Sequence, residues 1–287
     1  MPQYLYLETR CEFMPNYYAH LQFGVRVLRS LPEPLARLLK GERTAFDIGC
    51  YGPDPLFFYR PVKDNPVRRL GLGMHKEPVR PMAERLLLAV EENRPQARGY
   101  AAGFLCHFAL DSACHAYIEE RSAVGPATHS GMEAEFDRLL MERSGVDPLR
   151  ETPMPGGEPP VLLLGTIASV YPGLTPDQFR AGLAMFRRVS RLQTLAAGTG
   201  LRRAVDAVSR RTAGKPDFRG VVLDRVPQAE CAVSNTILDQ LLEGAVAPAA
   251  AEITGFFRTA AKGGPLSDWF DRDFSGRTHT VPDAASY

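Results

Sequence analysis

Six histidines occur in this 287-residue chain, and five of them, His20, His75, His107, His115 and His129, fall before residue 130. In the stretch Cys106-His107-Phe108-Ala109-Leu110-Asp111-Ser112-Ala113-Cys114-His115, the spacing i, i+4, i+8 puts His107, Asp111 and His115 on one face of a helix, within ~80° of arc. The surrounding residues, Phe104, Leu105, Phe108, Ala109 and Leu110, are apolar. A carboxylate and two imidazoles in that setting are costly to bury unless a charge pairs with them. A divalent metal ion does so. His107 and His115 are ~12 Å apart along a helix axis, while zinc–nitrogen bonds are ~2 Å, so the two imidazoles call for different ions. Asp111 lies between them and can chelate with one or bridge two. A second chelate follows in His129-Ser130-Gly131-Met132-Glu133, again with ligands four residues apart. The competing account of both motifs is a pair of metal-free His–carboxylate networks, tolerable only where every member is satisfied.

The remaining polar candidates carry weaker signals. Gly52-Pro53-Asp54-Pro55 is turn chemistry inside an aromatic cluster of Tyr51, Phe57, Phe58 and Tyr59, which suits a pocket wall with one acid at its mouth. Asp54 lacks a chelating i, i+4 partner and is expected to serve water rather than to be a main ligand. Cys106 and Cys114 flank the helix ligands and read as small buried hydrophobes. His279 lies in a polar tail, Arg277-Thr278-His279-Thr280, and is expected to be exposed.

Helices must position these groups. Apolar residues recur at helical spacing over Asn16–Leu28, and further helices are predicted over Glu77–Glu92, Arg98–Ile118 and Thr128–Glu142. A run that cannot be helical, Thr152-Pro153-Met154-Pro155-Gly156-Gly157-Glu158-Pro159-Pro160, separates this core region (1–150) from a second helical region (160–287) expected to pack on it. There, Leu174-Thr175-Pro176-Asp177-Gln178-Phe179 combines a cap, a first-position proline, a capping box and a staple between Leu174 and Phe179. The stripe Phe179, Leu183, Phe186 and Val189 then faces a core. Leu201–Arg211, Gln228–Leu242 and Ala249–Ala261 complete the expected helices, and the fold class is all-α.

Composition sets outer limits. Hydrophobic residues make up 45% and charged residues 23%, with a formal net charge of +1, a balance that demands neither nucleic acid nor membrane as a partner. Arg180, Arg187, Arg188, Arg191, Arg202, Arg203, Arg210 and Arg211 crowd one stretch. They read first as solvated helix surface, and second as a face able to meet phosphates or anionic lipid. No apolar run reaches the ~20 residues of a membrane helix, and residues 1–9 do not have the pattern of a signal peptide. The five cysteines show no disulfide framework, so a cytoplasmic location is expected.

Taken in order, His20, Gly-Pro-Asp54, His75, His107-x3-Asp111, His115 and His129-x3-Glu133 resemble the zinc-dependent phospholipase C family. The match covers roughly residues 15–145. The resemblance implies an all-helical phospholipase C/P1 nuclease-like bundle holding two or three Zn2+ ions. By the same resemblance, His75, His107 and Asp111 form one zinc site, and His115, His129 and Glu133 a second. His20, with Asp111 bridging, belongs to a third, and Asp54 is the acid that orients or deprotonates the attacking water. Tyr51, Phe57, Phe58 and Tyr59 are the implied headgroup wall, which would suit a quaternary ammonium. Secreted members complete the third site with a processed N-terminal tryptophan, whereas the single tryptophan here is Trp269, so a weak third site is expected. Secreted members also place five residues, one a proline, between the helix aspartate and the next histidine; here only Ser112-Ala113-Cys114 intervene. The expected activity is zinc-dependent hydrolysis of a phospholipid phosphodiester. A P1-type single-strand nuclease is the nearest alternative, and a zinc-stabilised scaffold without turnover is the alternative from another class.

Overall fold

In the computed structural model, which describes residues 17–152, 154, 157–211 and 219–279, the apolar stretch that carries the His-Asp-His face lies at the centre. Eleven α-helices are found among the described residues: α1 (Tyr17–Ser30), α2 (Glu33–Gly41), α3 (Arg43–Gly49), α4 (Pro66–Met74), α5 (Arg80–Glu91), α6 (Ala97–Val124), α7 (His129–Arg143), α8 (Val161–Val170), α9 (Pro176–Ala196), α10 (Leu201–Arg211) and α11 (Ala232–Lys262). They contain no β-strand, only one isolated bridge between Arg272 and Thr278. The all-α class read from the sequence is the observed class. None of these helices is long and apolar enough to cross a membrane.

Every residue of α6 from Gly99 through Asp111 is buried. A helix apolar around its whole circumference must be covered on all sides, and α1, α3, α5, α7, α8 and α11 do so. The closest approach is that of α3. A Cβ built on Gly103 would lie 2.1 Å from the carbonyl oxygen of Phe46, and one on Gly49 would lie 2.4 Å from that of Tyr100. Glycine at both positions lets the two backbones touch. The buried apolar side chains form one cluster that runs from Tyr17 to Phe274.

Helix ends follow local chemistry. The side chain of Asn65 accepts from the Arg68 amide ahead of Pro66, and that of Thr128 accepts from the Gly131 amide. The box at Thr175 forms in both directions, with Gln178 N–H donating to Thr175 Oγ1 (3.3 Å) and Thr175 N–H to Gln178 Oε1 (2.9 Å). Each such cap satisfies amides that the helix leaves open.

Several elements differ from the sequence reading. α2, α3 and α4 have nine, seven and nine residues, too short for a period to show. The described residues of the proline-glycine run are non-helical, as read, but the helix that starts immediately after it, α8 at Val161–Val170, was not marked from the sequence. The two helices expected at Gln228–Leu242 and Ala249–Ala261 are a single helix of 31 residues, α11, which runs through Pro248. Proline removes one amide and crowds the carbonyl four residues back, here that of Gly244, and packing of α11 against α1, α5, α6 and α7 outweighs that local loss. Asn16, the first residue of the expected N-terminal helix, lies outside the described residues, as do Pro153, Pro155, Gly156 and Cys11. The other four cysteines are buried and free.

Candidate metal centre

Four elements and one turn bring the candidate ligands together. α6 supplies His107, Asp111 and His115; α7 supplies His129 and Glu133; α1 supplies His20; the residue ending α4 is His75; and Asp54 opens the 3₁₀ turn Asp54–Phe58. His107 and Glu133 are fully buried, and His20, Asp54, Asp111, His115 and His129 nearly so. His75 is the most open of the eight, with 15% of its side chain exposed.

Asp111 is the hub. Its Oδ1 lies 3.2 Å from His20 Nε2 and 3.4 Å from His115 Nε2, and its Oδ2 lies 3.1 Å from His107 Nε2 and 3.9 Å from His75 Nε2. The line continues on both sides. Asp54 Oδ1 is 3.4 Å from His75 Nε2 and 3.8 Å from His107 Nε2, and Glu133 Oε1 is 3.1 Å from His129 Nε2 and 3.9 Å from His115 Nε2.

These separations are close, yet most are not hydrogen bonds. His20 Nε2, His75 Nε2, His107 Nε2, His115 Nε2, Asp54 Oδ1, Asp111 Oδ2 and Glu133 Oε2 are all buried without a hydrogen-bond partner. Unsatisfied groups of this kind cost on the order of 1–3 kcal/mol each, so a metal-free network is a poor account of them. Ligand atoms ~2.1 Å from a common zinc ion, at the corners of a tetrahedron, lie about 3.4 Å apart. The observed spacings centre on that value, and the donor set of imidazole and carboxylate is one that zinc favours. The residues therefore fit the group.

Three sets can each hold an ion, with ligand atoms within 4.8 Å of one another: His20, His107 and Asp111; Asp54, His75 and His107; and His115, His129 and Glu133. The grouping differs in part from the one the resemblance implies. His75 clusters with Asp54 and His107, while its Nε2 also stays 3.9 Å from Asp111 Oδ2, and His20 shares an ion position with His107. Asp54 stands at ligand distance, closer to the centre than its turn context suggested. No set contains both His107 and His115, as their axial separation requires.

The charges shape one another. Burial opposes ionisation of Asp111, but His107, His115 and His20 beside it hold the carboxyl well below its ordinary range. Burial also opposes charge on His20, where Asp111 wins and raises the imidazole above its ordinary value. At His115 burial dominates, and the imidazole is lowered. A low carboxyl and a neutral imidazole are the forms that ligate metal.

Second-half residues and loops fix the ligands. Tyr17, Tyr18 and Ala19 all donate backbone N–H groups to Asp137 of α7, at 2.8, 3.0 and 2.8 Å, which ties the start of α1 down just ahead of His20. Gly52 has φ +51°, and a Cβ there would fall 2.2 Å from the His107 ring; the loop that carries Asp54 lies flat against that imidazole. Tyr171 donates to the Gly52 carbonyl at 3.3 Å. Phe274, near the far end of the chain, packs at 4.5 Å from the His75 ring and 5.8 Å from the His107 ring. Asp137 was readable as a further step of four after Glu133; nothing local marks Phe274.

The aromatic wall is placed differently from the expectation. Phe57 does reach the centre, 5.1 Å from His75. Tyr51 and Phe58 turn inward and pack on Phe186 of α9, at 5.4 and 4.6 Å, and each is only 1% exposed. Tyr59 lies under Arg60, at 5.3 Å from its guanidinium carbon. The 3₁₀ turn directs these rings into the core, so Tyr51 and Phe58 support the Asp54 loop without forming an open surface. His279 is 41% exposed, as expected of a polar tail, but it pairs with the buried Asp273 at 2.9 Å.

An all-helical chain with eight imidazole and carboxylate groups converging in its interior defines a helical protein built to hold metal. The family model for zinc-dependent phospholipase C matches residues 19–165, just over half of the chain and a span that includes all eight groups. The chain belongs to the zinc-dependent phospholipase C family. No curated protein and no solved structure matches it.

Proposed function

We propose that this chain is a zinc-dependent phosphodiester hydrolase of phospholipase C type, with phospholipid as its substrate class. The observation that carries the reading is the ligand count. No set offers more than three protein ligand atoms, and two of the sets share His107, so each falls short of the four that close a structural zinc site. Positions left for water or substrate separate an enzyme from a scaffold.

When bound, clustered zinc ions lower the pKa of water toward ~7 and neutralise charge on phosphoryl oxygens. The chain's own residues do the rest. Asp111, with Oδ1 facing His20 and His115 and Oδ2 facing His107 and His75, would hold neighbouring ion positions in one register. Asp54, buried and with Oδ1 unpartnered, accepts the proton of the attacking water. The leading count is two ions, at His115–His129–Glu133 and at the positions around His107, with His20 contributing to a third. Peripheral contact with an anionic membrane belongs to the same reading. Arg188, Arg191, Arg203 and Arg210 are exposed on α9 and α10, beside exposed Leu192, Leu195, Leu201 and Val208, a mixture that suits an interface.

The test is hydrolysis by the zinc-loaded protein of a simple aromatic phosphodiester, then of phosphatidylcholine and single-stranded DNA side by side. The expected result is turnover of the first and preference for the lipid. Preference for DNA would replace this reading with the P1-type nuclease. No turnover of any phosphodiester, with zinc bound, would replace it with the scaffold.

A further inference from the structure

His75 is the most exposed of the eight groups and ends a helix of only nine residues. One hydrogen bond fixes its ring within that element, between Nδ1 and the Gly71 carbonyl at 3.0 Å. That bond leaves Nε2 for a metal, and a ring held at one atom can still rock about it. The remaining hold comes from two aromatic side chains. Phe57 stands 5.1 Å from the imidazole, and Phe274 stands 4.5 Å from it at an interplanar angle of 36°.

Phe274 belongs to a strap, residues 271–279, laid against α6. Its ring is buried and also packs on His107 at 5.8 Å and on Phe108 of α6 at 5.2 Å. The strap is fastened on both flanks of that ring. On one side Val79, just ahead of α5, donates its N–H to the Arg272 carbonyl at 2.9 Å, and Arg80 of α5 is ion-paired to Asp271. On the other, the buried Asp273 accepts N–H bonds from Ser275 and Arg277 and pairs with His279, at 2.9, 3.0 and 2.9 Å. The Ser275 hydroxyl donates to Glu119 of α6 at 2.8 Å, and Arg277 is ion-paired to the same carboxylate. Gly276 has φ +74°, and a Cβ there would fall 2.3 Å from the Ser112 carbonyl oxygen of α6. Glycine is what lets the strap lie so close. The set His115, His129 and Glu133 is built differently, from α6 and α7 alone. Among the described residues, the ring contacts of Phe274 are with His75, His107, Phe104 and Phe108.

We propose that Phe274 is a positioning residue for one edge of the metal centre: it holds the His75 and His107 imidazoles in place and sets how slowly an ion leaves Asp54, His75 and His107. The other edge, His115, His129 and Glu133, keeps its own rate. The proposal rests on the metal-binding part of the reading above and not on the hydrolysis. Groups that orient metal ligands from behind are typically worth about 10–100-fold in metal affinity, and a buried ring on a fastened strap orients by shape what a hydrogen bond orients by direction.

Transfer of zinc to a chromophoric chelator, timed in two backgrounds, tests this without turnover. His129→Ala leaves the His75 edge intact, and His75→Ala leaves the His115, His129 and Glu133 set intact. Phe274→Ala should speed release on the order of tenfold in the first background and leave it unchanged in the second. Phe274→Leu, which keeps an apolar side chain of similar reach, should restore most of the slow release. Glu119→Ala, which frees Ser275 and Arg277 at the surface, should act in the same direction as Phe274→Ala and stands in for it if that variant does not fold. Phe270→Ala is the control, since that ring is equally buried in the same part of the chain but packs on Phe256 and Trp269. It should lower the melting temperature and change neither release rate. Equal acceleration in both backgrounds, or the same acceleration from Phe270→Ala, overturns the proposal, because general loosening of the fold would then account for it. Unchanged release from the His75 edge, or no zinc held by His129→Ala, overturns it as well. A wild type that holds no zinc takes the metal reading down with it. Zinc held without hydrolysis removes the hydrolase alone, and the release rates still decide on Phe274.

Discussion

Helix α1 meets two buried carboxylates, and the protein treats them in opposite ways. At its first turn, Asp137 of α7 accepts three backbone N–H groups, which satisfies amides that a helix start otherwise leaves open. Close by, His20 faces Asp111 of α6, whose Oδ2 has no hydrogen-bond partner although four imidazoles stand within 3.9 Å. Both carboxylates are almost fully buried. A buried acid that is saturated with donors is a structural cap, and one surrounded by unaligned nitrogens is a ligand. Burial and residue type alone do not separate the two roles; the direction of the surrounding donors does.

That contrast is open to direct attack. Asp111→Ala should produce the largest effect, removing more metal than any other single ligand change and abolishing hydrolysis with it. Metal analysis after dialysis checks the order, and a greater loss from Glu133→Ala would move the hub to α7. Asp54→Asn comes next. It should keep metal and fold yet lose ~10²–10⁴-fold in phosphodiesterase rate, because an amide cannot accept the proton. Full activity in that variant would remove Asp54 from the chemistry, and loss of metal would make it chiefly a ligand. His107→Ala should then cost more zinc than His20→Ala, since His107 belongs to two of the three sets and His20 to one. Equal losses would show that another group completes the position His20 shares.

The smallest effect sharpens the other half of the comparison. Asp137→Ala should lower folding stability by about 1–3 kcal/mol, the cost of leaving buried donors unmet, as a fall in melting temperature. In metal-stripped protein the same measurement on Asp111→Ala should show a smaller loss, because Asp111 Oδ2 has no hydrogen-bond partner to forfeit and no backbone amide depends on this carboxylate as three depend on Asp137. The reverse order would mean that Asp111 stabilises the fold and is not held for metal.

How much of this was legible in the sequence follows from where the geometry is local. His107, Asp111 and His115 share one helix, as do His129 and Glu133, so a spacing of four residues placed them. His20 and His75 have no such partner, and only the packing of α1 onto α6 and of α4 onto the Asp54–Phe58 turn brings them to an ion position. The proline-flanked Asp54 was readable as an acid near the site but not as one at ligand distance, since the turn's approach depends on Gly52 lying against His107. The aromatic run after it was read as a wall because a 3₁₀ turn shows no face in its sequence; Tyr51 and Phe58 go to the core with Phe186. Phe274 lies more than 150 residues from His107, and no pattern in the chain announces a contact at that range. Within α11, Pro248 is a strong local breaker that tertiary packing overrides.

The central claim is that the eight converging groups hold metal. Zinc content of the purified protein after exhaustive dialysis, read by elemental analysis alongside melting with and without a chelator, tests it most directly. The account predicts at least two zinc ions per chain, with a marked drop in melting temperature when they are stripped. A content near zero, with melting indifferent to the chelator, would contradict it.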